Sequence, residues 1–373
     1  MIIGIPREIK DHEYRVGATP AGVRTLVQAG HQVRIERGAG ARIGFGDALY
    51  AAAGAQLVDG AEDVFACEMI VKVKEPQPSE YALLREGQIL FAYLHLAPDP
   101  AQTRALLQRK VVGIAYETVT DAQGGLPLLT PMSEVAGRLS IQAGATALEM
   151  SHGGNGTLLG GVPGVAPARV VVLGGGVVGT EAARMALGLG ADVTILDISP
   201  ARLRQLDALF GPALKTRYSD AHALEELCRE ADLLIGAVLI PGKQAPKLIT
   251  REMVRGMKNG AVLVDVSIDQ GGCAETSRPT THTHPTYIEE GVVHYCVTNM
   301  PGACARTATQ ALTIATLPYV LEIAKQGYRQ ALQRNPGLRA GLNVYLGQVT
   351  NAHVAEDLGY PYVPPEEALL VEG

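Results

Sequence analysis

Residues 170–197 read VVVLGGGVVGTEAARMALGLGADVTILD, and no other stretch narrows the fold as far. A β-branched apolar run leads into Gly174, Gly176 and Gly179 at the spacing G-x-G-x-x-G, and an Ala-rich helical pattern follows. The first glycine makes a tight turn, the second lets backbone approach a pyrophosphate, and the third lets the helix pack on the strand. Backbone N–H groups at that helix N-terminus then face phosphate. With 43 glycines in 373 residues the pattern also arises by chance, so its context carries the weight. Here a strand precedes, a helix follows, and Asp197 ends the next strand. A carboxylate there accepts bonds from both ribose hydroxyls and repels a 2′-phosphate, which favours NAD over NADP.

The flanking pattern extends this motif to a domain. ARVVVLG, DVTILD, LKTRY, DLLIGAV, AVLVDVS and VVHYCVT read as six strands with helices between them, matching two βαβαβ halves. Residues 1 to about 128 form an earlier series. MIIGIP, HQVRIE, EMIVKVK, QILFAYL and KVVGIAYE read as strands; PAGVRTLVQAG, GDALYAAAGA, SEYALLREG and PAQTRALLQRK read as helices. Short apolar runs separated by helices imply a parallel sheet covered on both faces. SEVAGRLSIQAGATALEM reads as a helix joining two domains, with Pro131 in its first turn. Beyond Cys304 a long apolar helix is interrupted or kinked at Pro318, and a tail of helical pattern follows. The expected architecture is α/β: two Rossmann-like domains with parallel sheets and an active site in the cleft between them. Residues 1–129 with 305–373 form a discontinuous substrate domain, and 130–304 the dinucleotide-binding domain.

Composition excludes several classes. The net charge of −6 and pI of about 5.9 argue against a nucleic-acid partner, which needs a basic face. Arg7 and Glu8 interrupt the N-terminus before any signal-peptide run, and no apolar stretch is long enough for a membrane span. Five cysteines without CxxC pairing read as reduced thiols in a cytoplasm. Lysine is scarce beside arginine, so the closely spaced Lys72 and Lys74 stand out.

Ligands of open α/β sheets sit beyond the carboxyl ends of strands. In the dinucleotide domain that selects Val238 and Leu239, then Val266, Ile268 and Asp269, then Val297, Asn299 and Met300. Asp269 is the one ionisable side chain among these ends. Arg202 either flanks the adenosine or is a solvated arginine, and Arg278 is a candidate for a cofactor phosphate. In the first domain Arg15 follows the first strand, Lys74 ends the strand EMIVKVK and His95 follows QILFAYL. A small amino or keto acid needs a cation for its carboxylate, and an arginine fork suits it. Hydride removal beside an amine gives an iminium that water must attack. Those steps move protons near neutrality, where histidine titrates. A lysine polarises the carbonyl oxygen, and an aspartate orients the water. His282 and His284 lack partners at ligand spacing and read as a surface loop.

EYRVGATPAGV, VKVKEP, YLHLAPD, TPMSEVAGRLS, GGNGTLLGGVPGV, VVLGGGVVG, DVSIDQGGC and VTNMPGACARTAT together resemble the bacterial alanine dehydrogenase family, which includes the NAD-binding subunit of proton-translocating transhydrogenase. The resemblance implies NAD-dependent, reversible oxidative deamination of L-alanine to pyruvate and ammonium; the alternatives are a transhydrogenase-like hydride-transfer subunit or a related small amino-acid dehydrogenase. It implies that Arg15 and Lys74 bind the substrate carboxylate and carbonyl, and that His95 and Asp269 form the acid/base pair. Ser133 is implied at the cofactor phosphates, alongside Val178, Asp197, Arg202 and Ser219. Glu117 matches a carboxylate that binds metal in some members. Gln326 stands where its histidine partner is expected, so no metal is assigned. A homohexamer is implied as well.

Overall fold

The computed structural model describes residues 1–238 and 244–370. The chain divides into two compact units: Met1–Met132 with Ala305–Gly373, and Ser133–Cys304. The helix Thr130–Ala147 runs through the first boundary.

In the first unit the strands are β1 (Ile2–Ile5), β2 (Gln32–Glu36), β3 (Gln56–Val58), β4 (Met69–Val71), β5 (Ile89–Ala92) and β6 (Val112–Ala115). They are parallel, in spatial order β3-β2-β1-β4-β5-β6. The order reverses between β1 and β4, and that reversal opens a crevice at the carboxyl ends of those two strands. Gly17 lies there, and a Cβ on it would collide with the carbonyl oxygen of Val71.

In the second unit the strands are β7 (Arg169–Leu173), β8 (Asp192–Asp197), β9 (Leu214–Tyr218), β10 (Leu233–Gly236), β11 (Val262–Asp265), β12 (Thr286–Glu289) and β13 (Val292–Tyr295). Six of them run parallel as β9-β8-β7-β10-β11-β13, the order of a dinucleotide-binding sheet. Alternate residues serve opposite faces. Val170, Val172, Leu233, Ile235, Val262 and Val264 pack into one cluster, whereas Val171, Leu173, Leu234 and Leu263 pack into another. Burial on both faces is why these strands read as continuous apolar runs rather than alternating ones.

Several expectations need correction. The sheets are mixed, because antiparallel strands close one edge of each. The C-terminal tail contributes β14 (Leu342–Tyr345) and β15 (Gln348–Val349) to the first sheet, and β12 pairs antiparallel with β13 in the second. Leu346 (φ +47°) and Gly347 (φ +92°) form the two-residue turn of the β14–β15 hairpin, a signal hidden in the tail's helical pattern. SEYALLREG is not an α-helix but a 3₁₀ segment, Pro78–Leu83, whose Glu80 is buried. Strand β3 had no counterpart in the expected series. The expected strands EMIVKVK, QILFAYL, AVLVDVS and VVHYCVT all end early, so Lys72, Lys74, Tyr93, Ser267 and Thr298 fall in the segments beyond. The helix Ala305–Gln326 continues through Pro318 rather than breaking there. The carbonyl that proline leaves without a donor belongs to Ile314, whose side chain is exposed. No helix among the described residues is long and apolar enough to cross a membrane.

Gly17→Ala is expected to destabilise the protein by about 2–4 kcal/mol through backbone overpacking. Gly188→Ala, in an exposed last helical turn with open space for a Cβ, is expected to stabilise by roughly 0.5–1 kcal/mol. Chemical denaturation midpoints measure both.

Candidate active site

Three elements of the first unit present the ionisable residues. Arg15 lies in the loop after β1 and is 2% exposed. Its guanidinium donates from Nε to Glu13 Oε1 at 2.8 Å and from Nη2 to Glu13 Oε2 at 2.7 Å. Nη1 lies 3.1 Å from Met132 Sδ. Burial alone would raise the Glu13 carboxyl, but hydrogen bonds and charge from Arg15, then the charge of Lys74, hold it down at about 2. Lys74 follows β4. Burial depresses its ammonium, and the neighbouring Arg15 depresses it further. Among the described residues no carboxylate forms an ion pair with Lys74. Two cations therefore sit close together at the β1/β4 reversal, an arrangement that an incoming carboxylate would relieve.

His95 follows β5 and is held in the left-handed region at φ +46°. The turn has a local cause. Glu117, beyond β6, accepts the N–H of Leu94 at 3.2 Å and that of His95 at 2.6 Å, and its carboxylate lies 3.8 Å from His95 Nδ1. Tyr93 stacks on the imidazole, with ring centroids 6.0 Å apart and planes within 6°. The Tyr93 hydroxyl donates to the carbonyl of Leu128 at 2.5 Å, and burial pushes that phenol well up. Arg15, Lys74, Glu13, Tyr93 and His95 thus form one neighbourhood.

In the second unit Gly174 turns at φ +104°, where a Cβ would strike the Ala237 carbonyl. The helix Val177–Gly188 begins at Gly176 with no side-chain cap, and a Cβ on Gly176 would meet open space. An uncapped N-terminus beside an open approach suits a phosphate. Val178 is half-buried in the first turn. Asp197 accepts Gly175 N–H on Oδ2 and Ser199 N–H on Oδ1, both at 2.8 Å. One bond per oxygen leaves lone pairs for two hydroxyls. The Ser219 N–H donates to the Asp197 carbonyl at 3.0 Å, which places that serine beside it.

Arg202 is half-buried beside the glycine turn. It donates to the Gly175 carbonyl at 2.6 Å, Thr180 Oγ1 at 2.8 Å and Gln205 Oε1 at 2.8 Å, bracing the glycine turn. Ser133 is half-buried on its helix. Val238 donates its N–H to Ser267 Oγ at 3.0 Å; Leu239 lies outside the described residues. Val266–Gln270 is a 3₁₀ turn that exposes Asp269. Asn299, at φ +60°, donates its N–H to Asp269 Oδ1 at 3.3 Å. Ile268, Val297 and Met300 are buried and Val266 is half-buried; the last three pack with the core behind the strand ends. Arg278 lies over the Tyr287 ring, 4.0 Å from its centroid. His284 is exposed, and His282 Nε2 is 3.1 Å from the Asn299 carbonyl. Among the described residues no three His, Cys, Asp or Glu groups are placed to hold a metal ion. The Gln326 Oε1 accepts from Arg334 at 3.2 Å.

Sequence reasoning missed Glu8, Glu13, Glu80 and Asp265. Glu13 stands two positions before Arg15 in the chain, and that proximity was the available signal. Asp265 is fully buried and gathers the N–H groups of Ser267 (3.1 Å) and Cys273 (2.8 Å) with the Ser277 hydroxyl (2.5 Å), so it winds the loop that carries Asp269.

Residues 4–136 match the N-terminal domain and residues 140–352 the C-terminal domain of the alanine dehydrogenase/PNT family. An alanine dehydrogenase of Methanococcus maripaludis is 57% identical over 371 residues, covering 99% of this chain and all of the relative. Those of Halomonas elongata and Bacillus subtilis are 59% and 56% identical; each alignment spans this whole chain and covers 100% and 98% of the relative. The fold superimposes on an L-alanine dehydrogenase with a TM-score of 0.94 at 54% identity, covering 96% of this chain and 99% of the other. A transhydrogenase from Sinorhizobium meliloti gives 0.80 at 25% identity, covering 94% and 99%.

The pair Glu13–Arg15 predicts an acid limb. Glu13 is depressed from 4.5 to about 2 on folding. Its stabilisation is present above pH 4.5 and is lost as pH falls from there toward 2, a change of roughly 3 kcal/mol. Glu13→Gln is expected to flatten stability over that interval, measured by denaturant melts from pH 6 downward.

Proposed function

Because the chain belongs to the alanine dehydrogenase family, we propose that it catalyses reversible oxidative deamination of L-alanine to pyruvate and ammonium with NAD as the electron acceptor. The observation that carries this reading is the pair of neighbouring cations, buried Arg15 and half-buried Lys74, at the β1/β4 reversal.

The glycine turn, the uncapped helix start and Asp197 fit a dinucleotide whose second ribose hydroxyl is free. Arg202 is committed to the turn, and a 2′-phosphate beside Asp197 would meet like charge. Bound there, NAD supplies the two-electron acceptor. The residues of the chain do the rest. Arg15 binds the substrate carboxylate through its guanidinium, and Lys74 polarises the oxygen that becomes the carbonyl. His95 takes a proton from the water that attacks the iminium carbon and returns one to the departing amine. Asp269 orients that water. Ser133, Val178, Ser219, Val238, Leu239, Val266, Ile268, Arg278, Val297, Asn299 and Met300 line the coenzyme site, the buried ones through their backbone. Residues 130–304 act as the coenzyme domain, and 1–129 with 305–373 as the substrate domain. A cytoplasmic homohexamer completes the proposal, its size testable by light scattering.

Arg15→Ala is expected to raise the alanine KM about 10–100-fold, and His95→Ala to lower kcat by about 10²–10⁴. A panel of small amino acids with NAD and NADP, followed by absorbance of the reduced coenzyme, measures both. Full activity in both variants would sink the assignment; transfer between two nicotinamides without alanine turnover would favour the transhydrogenase-like alternative.

A further inference from the structure

The loop that carries Lys74 is held by charges that the reaction does not use. Lys72, two residues earlier, is fully buried. Its ammonium donates to Glu8 Oε2 at 3.0 Å and to Glu80 Oε1 at 3.3 Å. Each carboxylate spends its other oxygen on the loop itself. Glu8 Oε1 accepts the N–H of Val73 at 2.6 Å and of Lys74 at 3.3 Å, and Glu80 Oε2 accepts the N–H of Gln77 at 2.7 Å. Residues 73–77 are therefore pinned at both ends, and one buried cation hydrogen-bonds both pins.

A buried ionic cluster is a poor source of stability, since well-packed apolar side chains often do as well or better. What apolar groups cannot supply is a directed acceptor for a backbone N–H. Here the acceptors are aimed at Lys74 and its immediate neighbours. Glu8 also belongs to the same β1 loop as Arg15. It thus ties together the two segments that bear the site's cations.

We propose that Lys72, acting with Glu8 and Glu80, is a positioning residue that sets the location of Lys74 relative to Arg15 and so governs recognition of the substrate's carboxylate and carbonyl. This rests on the reading of Lys74 as a substrate-binding group.

The test uses the full-length enzyme with Lys72→Met, the neutral triple variant Glu8→Gln/Lys72→Met/Glu80→Gln, and each combined with Lys74→Ala. Lys72→Met leaves two buried carboxylates without their cation and is expected to lower Tm; the triple variant removes those charges and keeps a folded form available. In the folded variant the alanine KM is expected to rise about tenfold or more with kcat falling less, while NADH affinity, read by its fluorescence, changes by less than about threefold. In the Lys74→Ala background the same substitution is expected to change kcat/KM by less than about threefold, because its route of action is already gone. An unchanged alanine KM in a folded variant, loss of NADH affinity in step with KM, or an undiminished effect in the Lys74→Ala background would overturn the proposal. Lys74→Ala with full activity by itself would instead remove the substrate role of Lys74, and this inference with it.

Discussion

In each unit, the chain leaving the first strand must pass against the backbone that ends the fourth. The sheet order 3-2-1-4-5-6 makes these strands neighbours, and their onward paths diverge to opposite faces. Gly17 meets the carbonyl of Val71 in one unit, and Gly174 meets that of Ala237 in the other. No side chain fits at either place. The crevices on which the candidate chemistry depends exist because these two crossings are bare backbone.

Charge then distinguishes the two crevices. The first gathers cations near one another and pairs them unequally. Arg15 is braced by Glu13, Lys72 is neutralised by two glutamates, and Lys74 is left with neighbours but without an ion pair among the described residues. Burial and like charge both oppose its ionisation, so an anionic ligand gains from entering. The second crevice is built around the glycine turn. It offers uncapped amides and one carboxylate, Asp197, with Arg202 turned inward to hold the glycine turn. One crevice suits a small carboxylate and the other a dinucleotide.

Much of this was legible in the chain. The glycine spacing, the following Asp197 and the six apolar runs predict the second sheet, and the lysine that ends EMIVKVK and the histidine after QILFAYL mark the candidate site. Illegible were the partners. Lys72 and Lys74 are separated by one valine and look equivalent, yet one lies in an ion cluster and the other is half-buried beside Arg15. Arg202 reads as either flanking the adenosine or solvated, and its bonds to Gly175, Thr180 and Gln205 are invisible in the sequence. The hairpins β12–β13 and β14–β15 were missed because β12, β14 and β15 have four residues or fewer, too few for a clear periodicity.

The amino-acid order alone determined the local matters: where the backbone must be free of a Cβ, which runs are apolar enough to be covered on both faces, and which strands end beside a charged residue. Those properties depend on a few consecutive residues. The folded chain decided which charges neutralise one another, because Glu8, Lys72 and Glu80, or His95 and Glu117, become neighbours only when separate βα units are laid side by side. Electrostatic energy depends on distance through space and on exclusion of water, and neither is a function of spacing along the chain.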